Sequence, residues 1–318
     1  MDNDTLDMLR SSLRHVLTDE SAQPLTFRLA ELGWGDVLAH DSSSALRTLF
    51  ELKGETLSSA NALGPQLSGL FATAVGANVA EAPAVGLLSP FGESVLGGDG
   101  TLTIEVLVCA SRPTIVLPVG PEPRLAIVHS ADLSVTALEG FDPSFGLLRV
   151  TGNVAANDIS WIDDAASVWS QVVTQGRWLV SCELVGVARH VLTAAVEYTG
   201  QRVQYGKPIG TFQALQHRIA SAHALVVGAG HLATEASNSG DSWTAKVAKA
   251  MAGQAAEFAC TQAQQCYGAI GFTWEHEFHR YLRRTYLLDR LFGDWRGLEH
   301  EIGMQLQTTG SVPHIGSL

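Results

Sequence analysis

The chain has 318 residues, 46% of them hydrophobic and 16% charged, which excludes intrinsic disorder and gives length enough for two domains or one large core with a smaller module. Its 32 acidic against 20 basic side chains leave a net charge of −12, so nonspecific attraction to nucleic acid or to an anionic membrane surface is disfavoured. The 4 cysteines (Cys109, Cys182, Cys260 and Cys266) are too few and too scattered for a disulfide scaffold; they fit free thiols in a reducing cytoplasm.

Leu6, Leu9, Leu13 and Val16 recur at steps of three and four, which predicts an amphipathic first helix capped by Asp2 or Asp4. The acids of MDNDTLDMLR are unlike the basic start of a secretory signal, so export is not expected. A second helix is expected over Ser44 to Leu52, started by Asp41 and the serines and stopped near Gly54. These helices define a helical region over 1–81.

The texture changes over 82–162. Seven prolines and the turn GGDG at 97–100 punctuate short β-branched runs, TLTIEVLV, TIVLPV and RLAIVH, with no helix between them to carry a parallel crossover. A small antiparallel barrel or sandwich is expected. Over 163–318 helix formers dominate. Leu184, Val187, Val191, Ala194 and Tyr198 form a seam, YGKPIGTF interrupts it, and further helices are expected at about 212–237, 242–267 and 275–291. Glu183, Arg189 and His190 break the apolar stretch from Trp178 to Val196, so no membrane span is expected. The fold class read from pattern is mainly α with a small β module and a C-terminal four-helix bundle.

Two short motifs carry little. GAGHLA at 228–233 fits a dinucleotide loop only if a strand precedes it, and the residues before it continue a helix; small residues for close helix packing are the plainer reading. HEFH at 276–279 spaces its histidines by three where a helical zinc pair needs four, so no metal is expected.

The stretch AVEYTGQRVQYGKPIGTFQALQHRIA at 195–220 carries more. It resembles the acyl-CoA dehydrogenase pattern A-x-x-Y-x-x-x-R-x-Q-F-G-K-x-I-x-x-F-Q-x-x-Q-x-x-L-A, matching it at Tyr198, Arg202, Gln204, Tyr205, Gly206, Lys207, Ile209, Phe212, Gln213, Gln216 and Ala220. QCYGAIGF at 265–272 is similar to the family's Q-x-x-G-G-x-G-F. The resemblance implies an N-terminal helical domain (1–81), a reduced middle β-domain (82–162) and a C-terminal bundle (163–318). It also implies that Arg202, Val203, Gln204, Phe212, Gln213, Gln265, Gly268 and Ala269 hold the adenosine and pyrophosphate end of FAD, the flavin ring lying in a partner subunit. The residues suit that role: a guanidinium forks onto a pyrophosphate, a helix start offers free N–H groups, and Gly268 lacks the β-carbon that would keep a cofactor away from the backbone. Ala269 stands where the family has a glycine.

The family places its catalytic carboxylate either in a Y-E-G-T segment or before an arginine early in the first bundle helix. In LLDRLFGDWRG the first position is assigned to Gly293, and in VVTQGRWLV the second to Gly176, before Arg177. No catalytic residue is therefore assigned; Asp294 and Glu183 are the carboxylates that could substitute, and Arg177 is a candidate substrate contact. The flavin-ring loop T-E-P-x-x-G-S-D has no counterpart, SPFGESVLGG being the nearest stretch. Such reduced chains occur in the α2β2 acyl-CoA dehydrogenases of actinobacterial steroid catabolism. The resemblance thus implies FAD, a complete acyl-CoA dehydrogenase chain as partner, a steroid-derived acyl-CoA substrate and an acceptor such as electron-transfer flavoprotein. The alternative is a flavin-free pseudoenzyme that stabilises its partners.

Overall fold

The computed structural model describes residues 1–19, 23–87, 94–120, 124–162 and 165–313. Helix α1 (Asn3–Thr18) begins where Asp2 accepts from the Thr5 N–H, and it turns Leu13, Val16 and Leu17 into the core. A short α2 (Leu25–Glu31) leads to α3 (Trp34–Thr56), in which Asp41 leaves helical geometry and accepts from the Ser44 N–H at 3.0 Å. The expected start at Asp41 is thus a cap inside a longer helix. Gly54 does not stop the helix, which runs on to Thr56. Its actual role is close approach. A β-carbon on Gly54 would lie 2.1 Å from the Glu183 carbonyl oxygen, and one on Gly186 would lie 1.9 Å from that of Glu51. Two glycines therefore let α3 cross a second helix backbone to backbone. Helix α4 (Leu63–Ala74) completes the N-terminal helices.

Two four-stranded sheets follow. One has the order β1 (Ala84–Val85), β4 (Thr114–Val119), β5 (Arg124–His129), β8 (Ser160–Ile162), and the other the order β2 (Val95–Leu96), β3 (Leu102–Val108), β7 (Leu148–Val154), β6 (Ser134–Ala137). All pairs are antiparallel except β1 with β4. Ile115, Leu117 and Val119 face Ile104, Val106 and Val150 in a shared core, which makes the module a sandwich, while Val116 and Leu125 pack on the helices. Burial on both faces explains why TIVLPV and RLAIVH alternate poorly in sequence. Part of SPFGESVLGG lies outside the described residues.

Helix α5 (Ala165–Gln201) is the axis of the C-terminal part. It is long and apolar enough to cross a bilayer, yet 72% of its most apolar window is buried inside the molecule, as in a core helix. A hairpin of β9 (Val203–Gln204) and β10 (Lys207–Pro208) connects it to α6 (Gln213–Ser239), followed by α7 (Ser242–Tyr267), α8 (Phe278–Arg290) and α9 (Trp295–Thr309). No apolar stripe in the sequence signals α9, whose one buried residue is Leu298. GAGHLA lies in mid-α6, where Ala229, Gly230 and Ala233 are buried against neighbouring helices. The four cysteines are unpaired.

Candidate functional site

The hairpin between α5 and α6 turns through Tyr205 (φ 54°) and Gly206 (φ 77°), and positive φ at both central residues gives the tight connection that suits strand twist. Arg202 closes α5, its N–H donating to the Tyr198 carbonyl and its carbonyl accepting from Ile209. Its guanidinium is exposed and makes no hydrogen bond or ion pair among the described residues. Phe212 is the N-cap of α6 without a side-chain cap bond, which leaves N–H groups of the first turn, Gln213 included, free for a ligand.

The second motif meets the first through aromatic contact. Tyr198, one turn before Arg202, packs edge-on against Tyr267 with centroids 5.2 Å apart, and Gly268 caps α7 directly after Tyr267. Gly268 has φ 61° and ψ −137°, a conformation that favours glycine, and nothing stands within 4 Å of where its β-carbon would be. Gln265 and Ala269 are exposed beside it. The structure thus brings Arg202 and Gly268 to one end of the bundle, with Val203 and Gln204 exposed on the hairpin. Free guanidinium, open N–H groups and an unobstructed glycine fit an anionic dinucleotide. An open groove of about 1180 Å³ adjoins this end, floored by Leu192, Val196, Ile219 and Val226.

The assigned base position Gly176 meets not Gly293 but its neighbour Phe292, and here the register is corrected. A β-carbon on Gly176 would lie 2.4–2.6 Å from three atoms of the Phe292 ring. The side chain that enters this space is therefore Phe292, not residue 293: with the glycine of Y-E-G-T set on Gly293, its glutamate falls on Phe292. Phe292 is 2% exposed and has φ 61°, strained for an aromatic residue. Two cations, the buried Lys249 and the half-buried Arg177, hold the turn in that conformation. Lys249 Nζ donates at 3.0 Å to the carbonyls of Asp289 and Gly293, and Arg177 Nε donates at 3.1 Å to that of Phe292. Arg177, expected to touch substrate, thus braces the turn.

Neither substitute carboxylate faces this space. Asp294 caps α9, accepting from the Gly297 N–H, and reaches Arg290. Glu183 is fully buried and bonds Lys53 Nζ and Arg284 Nη1, each at 2.9 Å. Arg284 also binds Asp142 in the β module at 2.5 Å, so one ionic cluster joins all three parts of the chain. Among the described residues no group of three or more His, Cys, Asp or Glu side chains gathers as a metal site; His276 packs on Tyr267 and His279 on Trp274.

Burial pulls Lys249 down to about 8 from its ordinary 10.5 and pushes Asp289 up. Between those two pH values the folded chain sheds the lysine proton while the unfolded chain keeps it, so this group's contribution to stability rises with pH, by up to about 1.4 kcal/mol per unit. The thiols of Cys109 and Cys260, pushed up to about 12 by desolvation, act oppositely once unfolded thiols ionise. The lysine effect is therefore read as a difference: urea unfolding at pH 8 and 10 should show wild type gaining on Lys249→Met. Equal pH slopes would refute it.

Residues 166–294 match the family model described as acyl-CoA dehydrogenase, C-terminal domain. This segment belongs to the acyl-CoA dehydrogenase family. Acyl-CoA dehydrogenase IpdE2 of Mycobacterium tuberculosis is 36% identical over 108 residues, 34% of each chain, so the match spans about a third of that relative. Over the whole chain the acyl-CoA dehydrogenase fold is shared with solved structures. The ChsE4-ChsE5 complex from Mycobacterium tuberculosis superposes with a TM-score of 0.75 at 19% identity, covering 99% of both chains. The Tcur3481-Tcur3483 steroid ACAD gives 0.78 at 20% identity, covering 97% of this chain and 99% of that one. The mainly helical fold class with a small β module is borne out.

Proposed function

We propose that the chain is the non-base subunit of a heteromeric, FAD-dependent acyl-CoA dehydrogenase that introduces an α,β double bond into a steroid-derived acyl-CoA. The observation that carries this reading is the contact of Phe292 with Gly176: both family positions for the base are without a carboxylate, and a phenyl ring fills the space. The nucleotide end, in contrast, keeps an unpaired Arg202 and an open Gly268. A chain that keeps one half of a site and has lost the other is useful only beside a chain that supplies the missing half. The groove next to the Arg202 hairpin offers apolar surface for such an assembly. The solved neighbour described as a steroid ACAD supports the substrate class.

In this reading Arg202 pairs with the pyrophosphate, the start of α6 contributes N–H donors, and Gly268 admits the cofactor to the backbone. The flavin, when bound, supplies the hydride acceptor for oxidation of the α,β bond. The partner provides the flavin-ring loop and the base, and electron-transfer flavoprotein or a similar acceptor reoxidises the complex in the cytoplasm. A charge-assisted contact to a partly buried anion is worth on the order of 1.5–3 kcal/mol. Arg202→Ala in the complex co-purified with the complete dehydrogenase chain should therefore weaken flavin binding roughly ten- to a hundredfold, with Arg202→Lys between. Flavin retention after dialysis and circular dichroism report the result. A colourless wild-type complex, or unchanged retention in Arg202→Ala, would leave the pseudoenzyme reading standing instead.

A further inference from the structure

Of the 20 lysines and arginines of this acidic chain, 12 are paired with carboxylates; of the eight with no carboxylate partner among the described residues, five, Arg202, Lys207, Arg218, Arg280 and Arg283, stand at one end of the bundle. Arg202 and Lys207 flank the hairpin turn, Arg218 bonds Gln262 near the end of α7, and Arg280 and Arg283 lie in the first turns of α8. Among them stands Trp274, 76% exposed, in the loop between Gly268 and α8. The Arg283 guanidinium lies over its ring, 5.3 Å from the centroid, and His279 meets it edge-on at 4.4 Å. Arg283 Nε and His279 Nδ1 are buried without a hydrogen-bond partner. An exposed indole backed by a cation, beside unsatisfied nitrogens and unpaired guanidinia, suits a flat heteroaromatic ring that carries phosphates.

We propose that Trp274 is the stacking platform for the adenine of a bound adenosine diphosphate group, with Arg280 and Arg283 facing its phosphates. This rests on the nucleotide reading of the Arg202 end and adds residues that neither motif contains. The adenosine diphosphate group is common to FAD and coenzyme A, so the chemistry is shared and the source is separated by experiment. The two carboxylates of this loop, Glu275 and Glu277, are exposed and form no ion pair with these arginines.

The test uses the full chain with ADP as the probe, followed by calorimetry and tryptophan fluorescence. Trp274→Ala should weaken ADP and adenosine alike by roughly tenfold or more, and Trp274→Phe, which keeps a ring, should stay within about threefold of wild type. Arg280→Ala combined with Arg283→Ala should weaken ADP but leave adenosine unchanged. Competition by FAD or by coenzyme A supports the proposal and names the source; competition by neither overturns it. Unchanged ADP affinity in Trp274→Ala also overturns it, including the case in which sedimentation shows altered self-association, which would assign the indole to a protein contact. If Arg202→Ala weakens ADP where Trp274→Ala does not, the platform fails while the proposed function stands. If neither variant changes ADP binding, both fail.

Discussion

Arg284→Ala is expected to destabilise the chain by about 3–5 kcal/mol, the range for breaking a buried ion pair from one side. Arg284 is completely buried, and its guanidinium bonds Asp142 Oδ2, Glu183 Oε1, the Ser58 carbonyl and Ser144 Oγ. Phe145 lies beneath both cations of the cluster, 4.2 Å from Lys53 Nζ and 5.0 Å from the Arg284 guanidinium carbon. Removing Arg284 leaves two carboxylates to one lysine whose own protonated form burial disfavours. Arg284→Lys keeps the charge but loses the fork and should fall between. Urea unfolding measures the loss, and added salt should change it little because the pairs are shielded from solvent. A loss below about 1 kcal/mol, the scale of an exposed pair, would show that the cluster contributes little.

Gly176→Glu should cost on the order of 4 kcal/mol or more, because overpacking against a buried ring and burial of a carboxylate act together. The nearest atoms are three carbons of Phe292, whose backbone is fixed by Lys249 and Arg177 and has nowhere to retreat. Phe292→Ala added to Gly176→Glu opens the space of a ring and should recover part of the loss. Thermal unfolding of wild type, the single variant and the double variant forms the test. If the double variant is no more stable than Gly176→Glu alone, Phe292 is not what excludes a side chain at 176.

What was legible in the sequence had a strong period or a cap. The Leu6 to Val16 stripe with Asp2 gave α1, and the seam from Leu184 to Tyr198 gave the core of α5. Helix α9 was missed because Leu298 is its one buried residue; no apolar stripe exists to find, although Asp294 four residues before Leu298 and Gly310 at the end mark its limits. Helix α4 was hidden by Gly64 and Pro65 at its start. Gly54 was read by local rules as a stop, whereas the reason for it lies far along the chain on α5, at Glu183. The same limit applied at the site. Arg202 and Gly268 were found by motif, but the role of Phe292 needed the contact with Gly176, and only the shared glycine of the Y-E-G-T register could have signalled it.

The ionic cluster has a consequence for the order in which the chain is made. Lys53 leaves the ribosome first, its partner Glu183 much later, and Arg284 close to the end. Until residue 284 has emerged, Asp142 lacks its cation and Glu183 has only Lys53, whose protonated form burial disfavours, so the helical N-terminal part and the β module cannot settle on α5 in final form. Nascent chains stalled before Arg284 should therefore be open to protease at the seam between the β module and α5, and should close within a short further stretch of synthesis. Completion of α8 thus acts as the checkpoint at which the three parts of the chain become one folding unit.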